Sequence, residues 1–469
     1  MSLSELVLTA QWGFLLFFAA LNGGYLALNL ISVVSLWRLQ QTRDLDRLPQ
    51  LYAGAEPPVS ILVPAWNEQA TIVASVRSLL QLHYPEFEVI VINDGSGDAT
   101  LEVLIREFAL QPFPEAYRVR LPSAPVRGIH RSARHPTLVV IDKANGGKAD
   151  ALNAGINAAQ YPLFCSVDAD SILQRDSLTR VAAAFLDDPA TVAAGGTIRV
   201  ANGCEVKSGF LVRTGLPRTW LARLQLVEYL RAFLFGRLGW SPLNALLVIS
   251  GAFALFRKEA VVEAGGYRTD TVGEDMELVV RLQRTRRLAG KPCRITFLPD
   301  PVCWTEVPED LATLKRQRIR WQRGLAESLA RNRRLLFHPR GGTAGWLAFP
   351  FTLLFEWLGP VIEVGGYAFL GLALVAGLMS FEAAAVFLLV AIGFGLLLSV
   401  SALFLEEMSF HVYTRPGDTL RLLAAAVLEN LGYRQLMALW RFAGFVAALR
   451  GGRARWGTMT RHGSWQRPS

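Results

Sequence analysis

Two carboxylates one residue apart, Asp168 and Asp170, close the apolar run in Phe164-Cys-Ser-Val-Asp-Ala-Asp-Ser171. Residues 162–167 read as a short buried strand, so both acids fall where that strand stops. Ligands of open α/β sheets gather at the carboxyl ends of strands. Hard oxygens at this spacing suit Mg2+ or Mn2+, either of which can hold a diphosphate. One such pair is an ordinary occurrence. Its weight comes from similar clusters behind other apolar runs: Asn67-Glu68 after Val59–Val63, Asp94 after Glu88–Ile92, and Asp142 to Lys148 after Thr137–Ile141.

Several further groups can carry chemistry, each with a plainer alternative. Gly146-Gly147-Lys148 opens a helix running to Ala159, and glycine amides with a lysine cation suit phosphate. A surface lysine on a glycine-rich turn reads equally well, and the spacing is not a Walker motif. Asp94 precedes Gly95 and Gly97 and can cap that turn, while Asp98 reads as N-cap of the helix starting near Thr100. Gly273-Glu-Asp275 precedes a helix over about 276–287, where acids commonly cap the first turn. Gln317, Arg320 and Trp321 stand at i, i+3 and i+4 and so share one helical face. There Arg320 can grip a diphosphate with its fork and Trp321 offers a flat apolar surface; a basic surface helix with one buried Trp is the alternative. Leu247–Leu255 reads as strand-like, with Ser250-Gly251 inside it, where glycine can serve packing alone.

Strands alternating with helices predict an α/β fold with a doubly wound, mostly parallel sheet. The composition adds membrane segments. Apolar residues make up 52% and charged ones 19%, too greasy for an ordinary soluble protein and too charged for a pure membrane bundle. Charges are sparse before Trp37 and between Gly341 and Leu405. Gln11–Trp37 carries no charge and is long enough to span a bilayer. Glu5 is the only charge before it, so an uncleaved anchor fits better than a signal peptide. Arg38, Arg43 and Arg47 follow, which puts the amino terminus outside and the next domain in the cytoplasm.

The same reading divides the chain into an anchor and linker (1–56), a cytosolic domain (57–310), an amphipathic interfacial region (311–344), carboxyl-terminal membrane or interfacial helices (345–450) and a basic cytosolic tail (451–469). Residues 346–378 and 382–405 read as spans, the first interrupted by Glu356, Pro360 and Glu363. Leu420–Leu449 is a hairpin, an interfacial pair or one imperfect span. Between Lys315 and Arg340 nine Lys or Arg face one acid, Glu327, a composition that fits an anionic leaflet. That accounts for much of the net charge of +9 without nucleic acid, for which no binding module is present. The four cysteines lack zinc spacing and fit reduced thiols.

Val63-Pro-Ala-Trp-Asn-Glu68, Asn93-Asp-Gly-Ser96, Lys143-Ala-Asn-Gly-Gly-Lys-Ala-Asp-Ala-Leu-Asn153, Asp168-Ala-Asp170, Gly273-Glu-Asp275 and Gln317-Arg-Ile-Arg-Trp321 follow one another in that order. In this the chain resembles the membrane-integrated, inverting family 2 glycosyltransferases, the cellulose, chitin, hyaluronan and poly-N-acetylglucosamine synthases. The resemblance covers about residues 57–330. It implies a GT-A type domain inserted between transmembrane helices of a bacterial-type inner membrane, facing the cytoplasm. It assigns Asp94 to the nucleotide of a UDP-sugar, Lys148 and Arg320 to its diphosphate, Asp170 to the metal, and Asp168 to donor and metal together. Asp275 becomes the general base; Ser250, Gly251, Gln317 and Trp321 lie along the acceptor. The implied reaction extends a β-linked polysaccharide and passes it outward, with an accessory export or regulatory subunit as a further partner. Three rivals are a transferase adding one sugar to a lipid, as in ceramide glucosylation, a carrier with a cytosolic regulatory domain, and an inactive sugar-nucleotide sensor. Internal repeats expected of the carrier are absent from the sequence.

Overall fold

The computed structural model describes residues 3–46, 54–114, 117–207, 209–415 and 417–451. Arg47 and the basic tail from residue 452 lie outside them. The first strands are β1 (Val59–Ala65), β2 (Phe87–Asp94), β3 (Leu110–Pro112) and β4 (Val126–Ser132). Next come β5 (Leu138–Lys143), β6 (Leu163–Val167), β7 (Ile172–Leu173) and β8 (Thr191–Val200). The chain then makes the hairpin β9 (Glu205–Lys207) and β10 (Phe210–Arg213), followed by β11 (Phe253–Arg257) and β12 (Arg294–Thr305).

One sheet takes ten of these strands in the order β3-β4-β5-β2-β1-β6-β11-β8-β12-β7. Its centre, β5-β2-β1-β6, is parallel, as the alternation of strands and helices requires. These four strands are the apolar runs seen in the sequence, buried on both faces because helices such as Ile72–Leu79 and Lys148–Ala158 cover them. Glu88, near the start of β2, is buried but accepts hydrogen bonds from Ser60 Oγ (2.7 Å) and Gln160 N (2.8 Å). The flanks depart from the parallel expectation. β4 runs against β5, and β11 runs against both β6 and β8.

That antiparallel insertion positions the site. Phe253 pairs with Val167, so the chain entering β11 lies beside the chain leaving β6. Ser250 and Gly251, expected inside a strand, instead occupy the turn just before β11. There the Ala252 carbonyl accepts from the Asp168 N–H at 3.4 Å. The helix Ile72–Leu79 begins only after residues 67–69 have been spent on the neighbouring loop. Asn67 N donates to Ser96 Oγ and Gln69 N donates to Asp98 Oδ2. Asp98 also accepts from Thr100 N at 3.0 Å, but Ala99 and not Asp98 occupies the N-cap position of the helix Thr100–Phe108.

Among the described residues, two helices are long and apolar enough to cross a membrane, Glu5–Leu39 and Phe381–Ser409. The pair Ala344–Trp357 and Gly359–Val375, bent by 41°, makes a third if it is one span. Pro360 stands in the first turn beyond the bend, where its missing N–H costs least. Phe18 meets Phe387 edge to face at 5.7 Å, and Asn29 Nδ2 donates to Ser401 Oγ at 2.8 Å, so Glu5–Leu39 packs on Phe381–Ser409. The stretch 420–449 is two helices, Asp418–Leu428 and Arg434–Arg450, broken where Leu431 and Gly432 leave helical geometry.

The basic helix Leu311–Arg331 is held between Glu274–Leu288 and Arg434–Arg450. Part of its charge is used internally: Arg318 pairs with Glu228, and Arg323 and Arg331 with Glu327. A fully buried ion pair, Arg199 with Glu406, ties the end of β8 to the helix Phe394–Ser409.

Candidate active site

The parallel centre of the sheet sends β2, β5 and β6 to one edge, and their last residues build the site from below. Asp94, at the end of β2, is 3% exposed. Both its oxygens are engaged: Oδ1 accepts from Lys143 Nζ (2.5 Å) and Gly146 N (3.0 Å), and Oδ2 from Gly147 N (2.7 Å) and Asn145 Nδ2 (3.2 Å). Lys143, wholly buried at the end of β5, also meets Asp150 Oδ1 at 2.6 Å. Two carboxylates around one buried ammonium thus fold the 145–147 loop, and Gly147 supplies the φ of +89° that lets the next helix begin at Lys148.

Lys148 projects from that helix onto β6. Its Nζ lies 2.5 Å from Asp168 Oδ1 and 3.7 Å from Glu274 Oε1, and donates to the Gly251 carbonyl at 3.5 Å. Burial alone would lower the Lys148 pKa, but Asp168 and Glu274 outweigh it and hold the ammonium above its ordinary range. Asp275 sits across from it. Gly251 N donates to Asp275 Oδ2 at 3.0 Å, and Met276 N donates to Oδ1 at 2.7 Å. Glu274 is buried, and loss of water pushes its pKa up to about 7, with Lys148 pulling it down and Asp275 adding to the rise.

The helix Leu311–Arg331 closes the site from above at a glycine contact. A Cβ built on Gly273 would stand 2.9 Å from Gly324 Cα, so only hydrogen on both residues lets the helix come down on the segment carrying Glu274 and Asp275. One turn earlier, Gln317, Arg320 and Trp321 face the same cavity, and the Arg318 guanidinium lies 4.6 Å from the Trp321 ring centroid. Arg318 is itself fixed by Glu228, which also accepts from Tyr433 Oη at 2.9 Å.

Most of these groups border one cavity of about 650 Å3. Lys148, Asp168, Asp170, Ser250, Gly251 and Asp275 line it from the sheet side. Asp94 does not line it; it acts on the cavity through the loop it folds. From Asp170 the same space continues to Tyr25 of the first apolar helix and to Glu356 and Glu363 of the bent pair. Glu228, Arg318 and Glu274 have no role assigned from the sequence, although Arg318 and Glu274 stand inside two of the quoted motifs. The first two are 90 positions apart, a separation across which local spacing carries no signal.

Asp168 and Asp170 offer two hard oxygen donors on one wall of this cavity. Among the described residues no cluster of three or more His, Cys, Asp or Glu could cage a metal. The donor set therefore fits a cation such as Mg2+ or Mn2+ that draws the rest of its shell from phosphate and water.

Residues 60–263 match glycosyl transferase family 2, and residues 163–398 match glycosyl transferase family group 2. The poly-beta-1,6-N-acetyl-D-glucosamine synthase of Staphylococcus aureus (strain COL) is 31% identical over 292 residues, 62% of this chain and 60% of that protein. The enzyme of the same description from Staphylococcus epidermidis is 30% identical over 274 residues, 58% of this chain and 56% of that one. The matches thus span less than two thirds of those relatives. A solved mannosyltransferase, PcManGT from Pyrobaculum calidifontis in complex with GDP-Man and Mn2+, shares the fold. It aligns over 90% of this chain and 99% of its own at a TM-score of 0.52 and 21% identity. With a sheet whose strand ends collect the acidic motifs and a family match across half its length, this chain belongs to the family 2 glycosyltransferases.

Proposed function

We propose that the protein transfers sugar, with inversion, from a UDP-sugar to a hydroxyl of a growing β-linked polysaccharide. Its catalytic domain faces the cytoplasm from a multi-pass position in a bacterial-type inner membrane. The observation that carries this reading is the single cavity joining Asp168, Asp170 and Asp275 to Tyr25, Glu356 and Glu363. A soluble transferase needs no such continuation among apolar helices.

In this mechanism Asp168 and Asp170 hold the metal, which supplies positive charge to the leaving diphosphate. Lys148 and Arg320 add their own cations on the diphosphate, Lys148 exchanging part of its contact with Asp168 for phosphate oxygen. Asp94 shapes the amide loop beneath the donor. The acceptor hydroxyl oxygen attacks the anomeric carbon from the face opposite UDP, its proton passes to Asp275, and the bond from that carbon to the phosphate oxygen breaks. Two backbone amides fix the Asp275 carboxylate, so its orientation is set before the acceptor arrives. Trp321, 42% exposed, and Gln317 border the acceptor path with Ser250 and Gly251. An accessory export or regulatory chain belongs to this proposal as a further partner.

A panel of UDP-sugars with Mg2+ or Mn2+, led by UDP-N-acetylglucosamine because of the named relatives, tests the proposal by product size and linkage. A β-linked polymer supports it. A one-sugar glycolipid selects the lipid-acceptor alternative, to which the same membrane-side cavity is open. No turnover of any donor rejects both.

A further inference from the structure

The arginines along the cavity differ in what they touch. Arg231 pairs with Glu429 at 2.8 Å and Arg318 with Glu228 at 2.5 Å. Arg441 donates to Gln322 Oε1 at 3.0 Å and to the Glu356 carbonyl at 2.6 Å. Arg237 lines the same space, yet among the described residues it makes no ion pair and no side-chain hydrogen bond. Its Nε is buried without a partner. The guanidinium lies instead over the Phe233 ring, 3.9 Å from the centroid, and Phe233 in turn stacks on Phe297. Both residues belong to the π-helical turn Ala232–Arg237, a wide-turn geometry that recurs at functional sites.

Such a group costs stability unless something else satisfies it. Burial draws its pKa down to about 10, and Asp275 and Glu356 are the carboxylates whose fields offset this. Its surroundings therefore run from the catalytic acid toward the apolar helices. With one flat face covered by Phe233, the edge N–H donors remain for a ligand in the cavity. Away from Lys148 and Arg320, Arg237 shares the lining with Glu228, Glu356, Glu363 and Glu429, a mixed-charge stretch that suits a neutral, oxygen-rich ligand.

We propose that Arg237 is an acceptor-binding residue, whose guanidinium donates to hydroxyl or acetamido oxygens of the acceptor sugar and so brings the attacking hydroxyl to Asp275. This role rests on the function proposed above. The test uses the full chain in lipid nanodiscs with UDP-N-acetylglucosamine and Mn2+, and a β-linked N-acetylglucosamine tetrasaccharide as acceptor. Arg237→Gln is expected to raise the KM for the tetrasaccharide about tenfold or more and to lower transfer, with Arg237→Lys in between. Donor hydrolysis without acceptor should stay within about twofold of the parent, as should UDP affinity by calorimetry, which also reports a folded site. An unchanged acceptor KM overturns the role, and so does an equal loss of hydrolysis and transfer. A parent protein that hydrolyses donor but ignores the tetrasaccharide at any concentration overturns it too. A parent that neither hydrolyses nor transfers any UDP-sugar overturns the underlying function first.

Discussion

Gly273 and Gly324 meet backbone to backbone, with the Cβ that either lacks falling within 2.9 Å of the other's Cα. The acidic pair Glu274-Asp275 follows directly on the first, and Trp321 lies one turn before the second. Their separation is thereby fixed by main chain. Gly324→Ala should cost about 1–3 kcal/mol of stability through overpacking. It should also depress transfer by more than the stability loss explains, seen as a lower kcat at temperatures where thermal unfolding is negligible.

Asp170→Asn is expected to reduce transfer about a thousandfold, a loss of the size seen when one preorganised charge is removed. Chelation of divalent ions should abolish turnover, and adding Mn2+ or Mg2+ back should restore it. Asp170→Asn at the normal rate, or full activity in excess chelator, would remove the metal from the proposal.

Asp275→Asn keeps the shape but only one of the two amide contacts, since its NH2 cannot accept from a backbone N–H, and it cannot take the proton. Transfer should fall about a hundredfold to ten-thousandfold while UDP affinity stays within about twofold. Measuring both separates loss of the base from collapse of the site.

Glu274 gives a pH signature. Its folded pKa is raised, so its favourable contribution is complete below the unfolded value near 4.5 and is lost as pH rises through about 7. The loss is of order 3 kcal/mol across that window. Glu274→Gln should flatten this slope, and its thermal midpoint should gain on the parent most at pH 8 and least at pH 5. A parallel pair of curves would contradict the burial argument.

Arg199 and Glu406 couple sheet to apolar helix without water to soften a break. Arg199→Met alone should cost about 3–5 kcal/mol, because it strands a buried carboxylate. Arg199→Met with Glu406→Leu should recover most of that. Thermal unfolding in detergent reads both.

The legible part of this protein was what an apolar run followed by a polar cluster can announce. β1, β2, β5 and β6 are such runs, buried on both faces, and the motifs behind them collect at one sheet edge. β8 escaped because Thr191-Val-Ala-Ala-Gly-Gly-Thr-Ile-Arg-Val200 is rich in alanine and glycine, which strands otherwise disfavour. Its Gly195 is there for packing: a Cβ would stand 2.3 Å from Ile249 Cγ2. Ser250-Gly251 belonged to the right neighbourhood but to a turn, since only the antiparallel pairing of β11 reveals where that strand begins. Asp94 shows the other limit. Its motif marks an important acid, whereas its engagement with Lys143 and the 145–147 amides depends on residues some fifty positions away. Arg237 has no motif, and what singles it out is the partner it lacks.

Tyr25 belongs to a helix of membrane-spanning length and also to the wall of the cavity that holds Asp168 and Asp170. On the function proposed above, the reaction chamber would be finished by a part whose height a surrounding bilayer governs. Bilayer thickness becomes a variable of turnover, and a fragment trimmed to its water-soluble residues would leave the chamber without one side, exposing the activated sugar to hydrolysis.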